Sequence, residues 1–299
     1  MTTPAVETMQ VIEITDQKAA KKQIKRSAHR LRHASASLRE DAEMANAAVS
    51  QDGMALEHVV LTGILRGNKN IARSAVKQNG GALQHCASGL QNDREIVSLA
   101  LKQDSLALAH ASEDLRKDRA LALEAVANNG MALEHVSESL RSDKELALRA
   151  VRNDGLALYF ASSALRADEE MVLEALRQDG MALGAAAEPL RLKIGADKDA
   201  MLLAVSTNGR ALKFASRALL ADREVVMAAC NQDGYALEFA SPVIRGDDKE
   251  IVLAACASSF GAAGQFASAQ MRKDPDVRFA SQPRLCQYRE KAQEAEKEL

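Results

Sequence analysis

The chain has 299 residues, 47% hydrophobic but only 3% aromatic, with no tryptophan and five prolines, so little is available for a β fold. Its formal charge of −2 gives no general field for nucleic acid or anionic lipid. No apolar run approaches the roughly 18 residues of a membrane-spanning helix, and the first fifteen residues carry Glu7 and Glu13 without the apolar stretch of a secretory signal.

Residues 1–17 show no repeat features and are expected to be a flexible N-terminal segment. Between Lys18 and Arg39 stand eight basic residues and no acidic one. A solvated cap on a stack of repeats accounts for this run. Binding of an acidic partner is the alternative.

From Ala28 onward one box recurs: Gly-x-Ala-Leu-x-His/Phe. It is clearest at Gly53, Gly80, Gly130, Gly155, Gly180, Gly209 and Gly234, with degenerate copies at Ala28, Ser105 and Gly261. The spacings are 25, 27, 25, 25, 25, 25, 29, 25 and 27 residues. A period of this length signals units that bury their apolar faces only by stacking. The expected fold is therefore an all-α, elongated solenoid of about ten helical hairpins over residues 18–282.

Residues Asp143 to Arg166 illustrate one unit. Asp143 is placed to cap a first helix, Lys144 to Asn153, with Glu145 favoured in its first turn. Leu146, Ala147, Ala150 and Val151 share one face of it, opposite Glu145, Arg149 and Arg152. Gly155 is expected in a left-handed turn. A second continuous helix is expected from Leu156 to Leu165. Cap positions recur at Asp41, Asp93, Asp118, Asp168, Asp197, Asp222, Asp248 and Asp274. Four extra residues fall between Arg191 and Ala196, and two each near Thr62-Gly63 and near Gly246, where loops are expected. The pattern ends at Pro283. Residues 283–299 read as a polar tail or capping helix.

The motif Asp-x-Glu-Ile/Val/Leu…Ala-Val…Asp-Gly-x-Ala-Leu-x-His/Phe-Ala-Ser-x-x-Leu-Arg resembles the repeat called domain of unknown function 4116. The resemblance spans roughly residues 28 to 281 and is best in stretches such as Asp168 to Leu190. One family unit corresponds to about two of these repeats. The resemblance implies a tandem helical fold and carries no activity.

Cys86, Cys230, Cys256 and Cys286 form no Cys-x-x-Cys pair, and Cys230 falls at a core position. Cys256 does too, given one extra residue in the following turn. Buried thiols fit an intracellular, reducing compartment, the cytoplasm first, with an organelle left open. His33, His58, His85, His110 and His135 occupy one repeat position, which Phe160, Phe214, Phe239 and Phe266 take later. Exchange with Phe reads as packing of a flat ring, with a pH-sensitive role second and metal ligation third. Arg39, Arg116, Arg141, Arg166 and Arg272 stand two residues before a cap Asp, where helix C-terminal charge explains them better than a phosphate-binding row. No phosphate-binding loop, zinc-protease motif or nucleophile elbow is present, so no catalytic residue, cofactor or metal is expected.

The expected site is an exposed row, at positions one, four and eight after each box glycine. It comprises Met54, Glu57, Met131, Glu134, Tyr159, Met181, Arg210, Lys213, Arg217, Tyr235 and Glu238. These residues vary over an almost invariant core, which is how a regular scaffold encodes a partner. The leading expectation is a protein-interaction scaffold that is not an enzyme. Nucleic-acid or anionic-lipid binding through the basic N-terminal run and Arg210, Lys213 and Arg217 is the alternative. An enzyme of unrecognised type is the third.

Overall fold

The computed structural model describes residues 14–59 and 65–282. The chain divides into two compact units, Met1–Leu140 and Arg141–Leu299. Both are built from the same repeat. Among the described residues there is no strand, only an isolated bridge between Ile14 and Ala34. The fold class is an all-α repeat solenoid.

The first helix of each repeat, the A helix, forms as its sequence directs. Asp143 is extended, and its carboxylate accepts from the Leu146 amide at 3.1 Å, opening the helix Lys144–Asn153. Leu146, Ala147, Ala150 and Val151 are completely buried. The equivalent A helices include Arg94–Gln103, Lys198–Thr207 and Arg223–Gln232, each capped by its aspartate.

The second half of the repeat differs from the continuous helix expected. It begins as a six-residue 3₁₀ helix, Gly155–Phe160. Ala161 is extended, Ser162 accepts from the Leu165 amide, and a four-residue helix, Ser163–Arg166, follows. Asp154 starts the 3₁₀ segment by accepting from the Leu156 amide at 2.9 Å. Its three residues per turn eclipse side chains at i and i+3. Gly155 therefore lines up with Leu158, Ala157 with Phe160, and Leu156 with Tyr159. The first pair is buried, the second is buried and half-buried, and the third holds the exposed edge.

The glycine is needed for a different reason from the one expected. The only glycine with positive φ among the described residues is Gly261, at 87°. Gly155 instead lies against the next A helix. A Cβ there would stand 2.5 Å from the Ala175 carbonyl oxygen, and at Gly180 it would meet Ala204 O at 2.1 Å. The box glycine is thus a close-approach residue.

Successive repeats are also joined through their backbones. The Ser162 amide donates to Arg141 O at 3.1 Å, Ala187 to Arg166 O at 2.8 Å, and Ser241 to Leu220 O at 2.8 Å. The amide at the Ser position of Ala-Ser-x-x-Leu-Arg thereby donates to the carbonyl at the Arg position of the previous repeat. The four-residue insertion respects this link. It lengthens the short helix to Glu188–Ala196 instead of forming a loop, and Gly195 supplies the carbonyl to Ser216 at 2.7 Å. Near Gly246 the extra residues likewise extend a helix, Pro242–Asp247. Thr62-Gly63 and the tail from 283 lie outside the described residues. Of the segment before residue 18, Ile14 donates to His33 O and Asp16 caps the helix Gln17–Ile24.

Candidate interaction face

Eclipsing in the 3₁₀ helix brings the first and fourth positions after each box glycine onto one edge. Glu57, Glu134, Tyr159, Arg210, Lys213, Tyr235 and Glu238 are exposed there, whereas Met54, Met131 and Met181 are half-buried. Beneath them Ala55, Leu56, Ala132, Leu133, Ala157, Leu158, Ala211 and Leu212 are all completely buried. The eighth position belongs elsewhere. Arg217 stands after the extended Ala215, in the segment that starts at Ser216, so it does not share the edge with Arg210 and Lys213. The expectation of one continuous helix placed it there, and the break in the backbone removes it.

Along the edge, side chains lean on the following repeat. The sixth histidine, His29, sits at the first position of its box and lies 3.0 Å from Asp52. Arg210 repeats that geometry with Asp233 at 2.8 Å, and its guanidinium lies 5.1 Å from the Tyr235 ring centre. Tyr235 meets Phe266 edge-on at 6.3 Å. The Met54–Gln84 contact is of the same kind, the Gln84 amide approaching Met54 Sδ at 4.0 Å. Tyr159 projects its hydroxyl over Gly184, where a Cβ would stand 2.5 Å away. The row is thus a packed surface of aromatic, thioether and paired charged groups.

The last regular joint opens into a cleft of about 530 Å³ lined by Arg210, Asp233, Tyr235 and Phe260, among others. Here the cap aspartate is missing. Ser259 accepts from the Ala263 amide at 2.9 Å in its stead, and the extra residue, Phe260, turns outward with φ 51°. Cys256 remains buried, as the one-residue allowance in the turn predicts.

The histidine row caps the 3₁₀ segments. His33, His58, His85, His110 and His135 are all their last residues. Burial is the largest cause holding His58, His85 and His110 below the ordinary imidazole pKa. Of the arginine row, Arg39, Arg116, Arg141 and Arg166 turn their Nε atoms inward, while Arg272 is exposed. Arg39 Nε donates to Ala34 O at 3.1 Å, and Arg66 Nη2 to Glu57 O at 2.7 Å, satisfying carbonyls at or just past 3₁₀ ends. The Nε atoms of Arg116, Arg141, Arg166 and Arg245 are buried and without a hydrogen-bond partner. Such groups cover the protein and do not present a phosphate-binding row.

Sequence reasoning missed a ladder of ion pairs on the A helices. Lys69 reaches Asp93 at 2.7 Å and Glu95 at 2.9 Å. Lys144 bridges Asp168 and Glu170 at 2.8 and 2.9 Å, and Lys198 bridges Asp222 and Glu224 at 2.9 and 2.8 Å. Arg223 pairs with Asp248 and Glu250, and Lys249 with Asp274 and Asp276. Glu224 first, then Asp222, pushes the Lys198 pKa up to about 12. The signal lay in the recurring Asp-Lys/Arg-Glu triplet. A cation at a helix start opposes that helix's dipole, so it needs a partner elsewhere.

These features define a class: tandem two-part helical repeats whose layers are locked by a glycine contact, a backbone bond and an ion pair. The family model described as "Domain of unknown function (DUF4116)" matches residues 68–116, 118–166, 143–191 and 197–245, more than half of the chain. The chain belongs to this family. The windows 118–166 and 143–191 overlap by one repeat, so the family unit is a pair of the 25-residue units. No curated protein and no solved structure matches the chain.

Proposed function

We propose that the chain is a protein-interaction scaffold that holds a partner segment along the exposed edge of its 3₁₀ helices. One observation carries this reading. From the box at Gly53 to that at Gly234, positions one and four after the anchor change from repeat to repeat, while the Ala-Leu pair beneath them stays buried and constant. Exposed Tyr159 and Tyr235, flanked by Met131 and Met181, offer the rigid and adaptable contact groups that favour protein interfaces. The pairing of Arg210 with Asp233 offsets its charge, which weighs against nucleic acid or anionic lipid at this edge. The role is binding and not catalysis, in an intracellular reducing compartment suited to buried thiols.

The test is affinity capture with the wild type and with a variant carrying Arg210→Glu, Lys213→Glu and Tyr235→Ala, checked for an unchanged circular dichroism spectrum. A protein retained by the wild type and lost by the variant is the expected result. Identical partner lists would reject the edge as the binding face.

A further inference from the structure

The ion-pair ladder has one inverted rung. The first residue of the A helix is Lys or Arg at positions 69, 94, 119, 144, 198, 223 and 249, but Glu at 169. The acids that a cation there would meet on the next A helix are Asp197 and Asp199. They are the counterparts of Asp222 and Glu224, which hold Lys198. Among the described residues, no cation of the chain pairs with Asp197 or Asp199. Lys193 in the inserted helix Glu188–Ala196 is committed to Glu169 at 2.6 Å, and Lys198 to Asp222 and Glu224. The other A helices without a basic first residue begin with Gln17, which donates to Asp41, with Ala42, and with Pro275 in the last described one. Ala42 stands at the first position of its helix, and the residues facing it in the repeat pattern are the neutral Asn68 and Asn70. Only at 169 does an acid stand where the following acids call for a base.

The same joint holds a cleft of about 290 Å³. Leu173, Ile194 and Leu203 give it an apolar floor, Glu169, Asp197 and Asp199 give it an acidic rim, and Lys193, paired with Glu169, also lines it. Asp168/Glu170 and Asp274/Asp276 show what such a pair does, each holding one Lys side chain between its two carboxylates. The structure therefore displays how this acid pair binds a cation, and the chain leaves this seat unfilled.

We propose that this cleft docks a protein segment carrying one Lys or Arg beside an apolar side chain. The cation sits between Asp197 and Asp199 as Lys198 sits between Asp222 and Glu224, and the apolar neighbour rests on Leu173 and Leu203. A carboxylate pair and an apolar floor complement that combination in charge and in contact. The site lies among the A helices, away from the 3₁₀ edge, and stands independently of the partner proposed there.

The test is amide NMR of the full chain titrated with acetyl-Leu-Lys-Leu-Leu-amide and with its Gln counterpart, acetyl-Leu-Gln-Leu-Leu-amide. The expected result is saturable shifts at Leu173 and from Asp197 to Leu203 with the Lys peptide. Affinity should drop about tenfold or more for the Gln peptide, in keeping with a lost charge-assisted bond. Glu169→Lys fills the seat from within, so it should keep its fold and lose the Lys peptide; Asp199→Asn should weaken it. Equal binding of the two peptides, undiminished binding by Glu169→Lys, or unmoved amides at millimolar peptide would overturn the proposal. So would calcium chloride reproducing the shifts and displacing the peptide, which would make it a metal site. The same shifts on raising protein concentration alone would assign the seat to a second copy and overturn it equally.

Discussion

Gly155 and Ala175 are in such close contact that a single added carbon atom on the glycine would stand 2.5 Å from the alanine carbonyl oxygen. The contact sets the distance between one repeat's 3₁₀ helix and the next repeat's A helix. Backbone lies on one side of it and a completely buried core on the other, so nothing nearby yields cheaply.

Gly155→Ala should therefore destabilise the protein by about 1–3 kcal/mol, the usual range for forcing an extra carbon into a packed interior. Gly89 is the control. It lies in the short helix Ser88–Gln91, and a Cβ there meets nothing within 4 Å. Gly89→Ala should be neutral or stabilise by about 0.5–1 kcal/mol through helix propensity. Urea titration of both variants decides. Equal effects would show that the close approach does not constrain the fold.

The histidine row predicts a pH response with a definite sign. Burial lowers the pKa of His58, His85 and His110 in the folded chain below the ordinary 6.5. Between the lowered value and 6.5 the unfolded chain binds more protons, so stability is full above pH 6.5 and falls as pH drops through that window. Replacing His85 and His110 by Phe, the residue found at 160 and 214, should flatten the change in melting temperature between pH 8 and pH 5. A wild-type melting temperature that does not change over that range would contradict the assignment.

The ion-pair ladder responds at lower pH and in the same direction for a different reason. Lys69, Lys144, Lys198 and Lys249 hold Asp93, Asp168, Asp222 and Asp274 below the ordinary aspartate value of 3.8. Lowered acid pKa values give stability that is present above 3.8 and lost as pH falls through the folded values. The pairs are largely exposed, so the effect on melting temperature should be small and should shrink further in 1 M salt. Lys144→Met and Lys198→Met together should reduce the acid-side slope. An unchanged slope would mean that the ladder specifies register without contributing to stability.

Burial also raises the Cys86 and Cys230 thiol pKa values to about 12. Neither thiol should react with iodoacetamide at pH 8 in the folded chain, and both should react once urea unfolds it. Peptide mapping reads each site separately. Rapid native labelling of Cys230 would contradict the packing of the helix Arg223–Gln232.

The period, the caps and the core were legible because each rests on local chemistry repeated many times. Asp143 before a run with Leu146, Ala147, Ala150 and Val151 specifies a capped helix without reference to anything distant. The 3₁₀ segment was not legible. Ala157, Leu158 and Phe160 suit either helix type, and the contact of Gly155 with the next layer has no mark in the local pattern. For the same reason Gly155 looked like a turn residue, since its neighbour 20 residues ahead is invisible along the chain. Positions one and four of the candidate edge survive either geometry, but Arg217 depended on an unbroken helix and fell away. The ladder was written in the Asp-Lys/Arg-Glu triplets, yet its pairing spans a whole repeat, so single-helix reasoning took Glu145 only as a dipole partner.

The proposed partner lies along the 3₁₀ edge, against Tyr159 and Tyr235. The most direct measurement replaces each tyrosine in turn by a photo-crosslinking phenylalanine analogue, with Arg149 on the exposed side of an A helix as the control. One and the same protein should be crosslinked from positions 159 and 235 and not from 149. Crosslinking from 149 alone, or equally from all three positions, would contradict it.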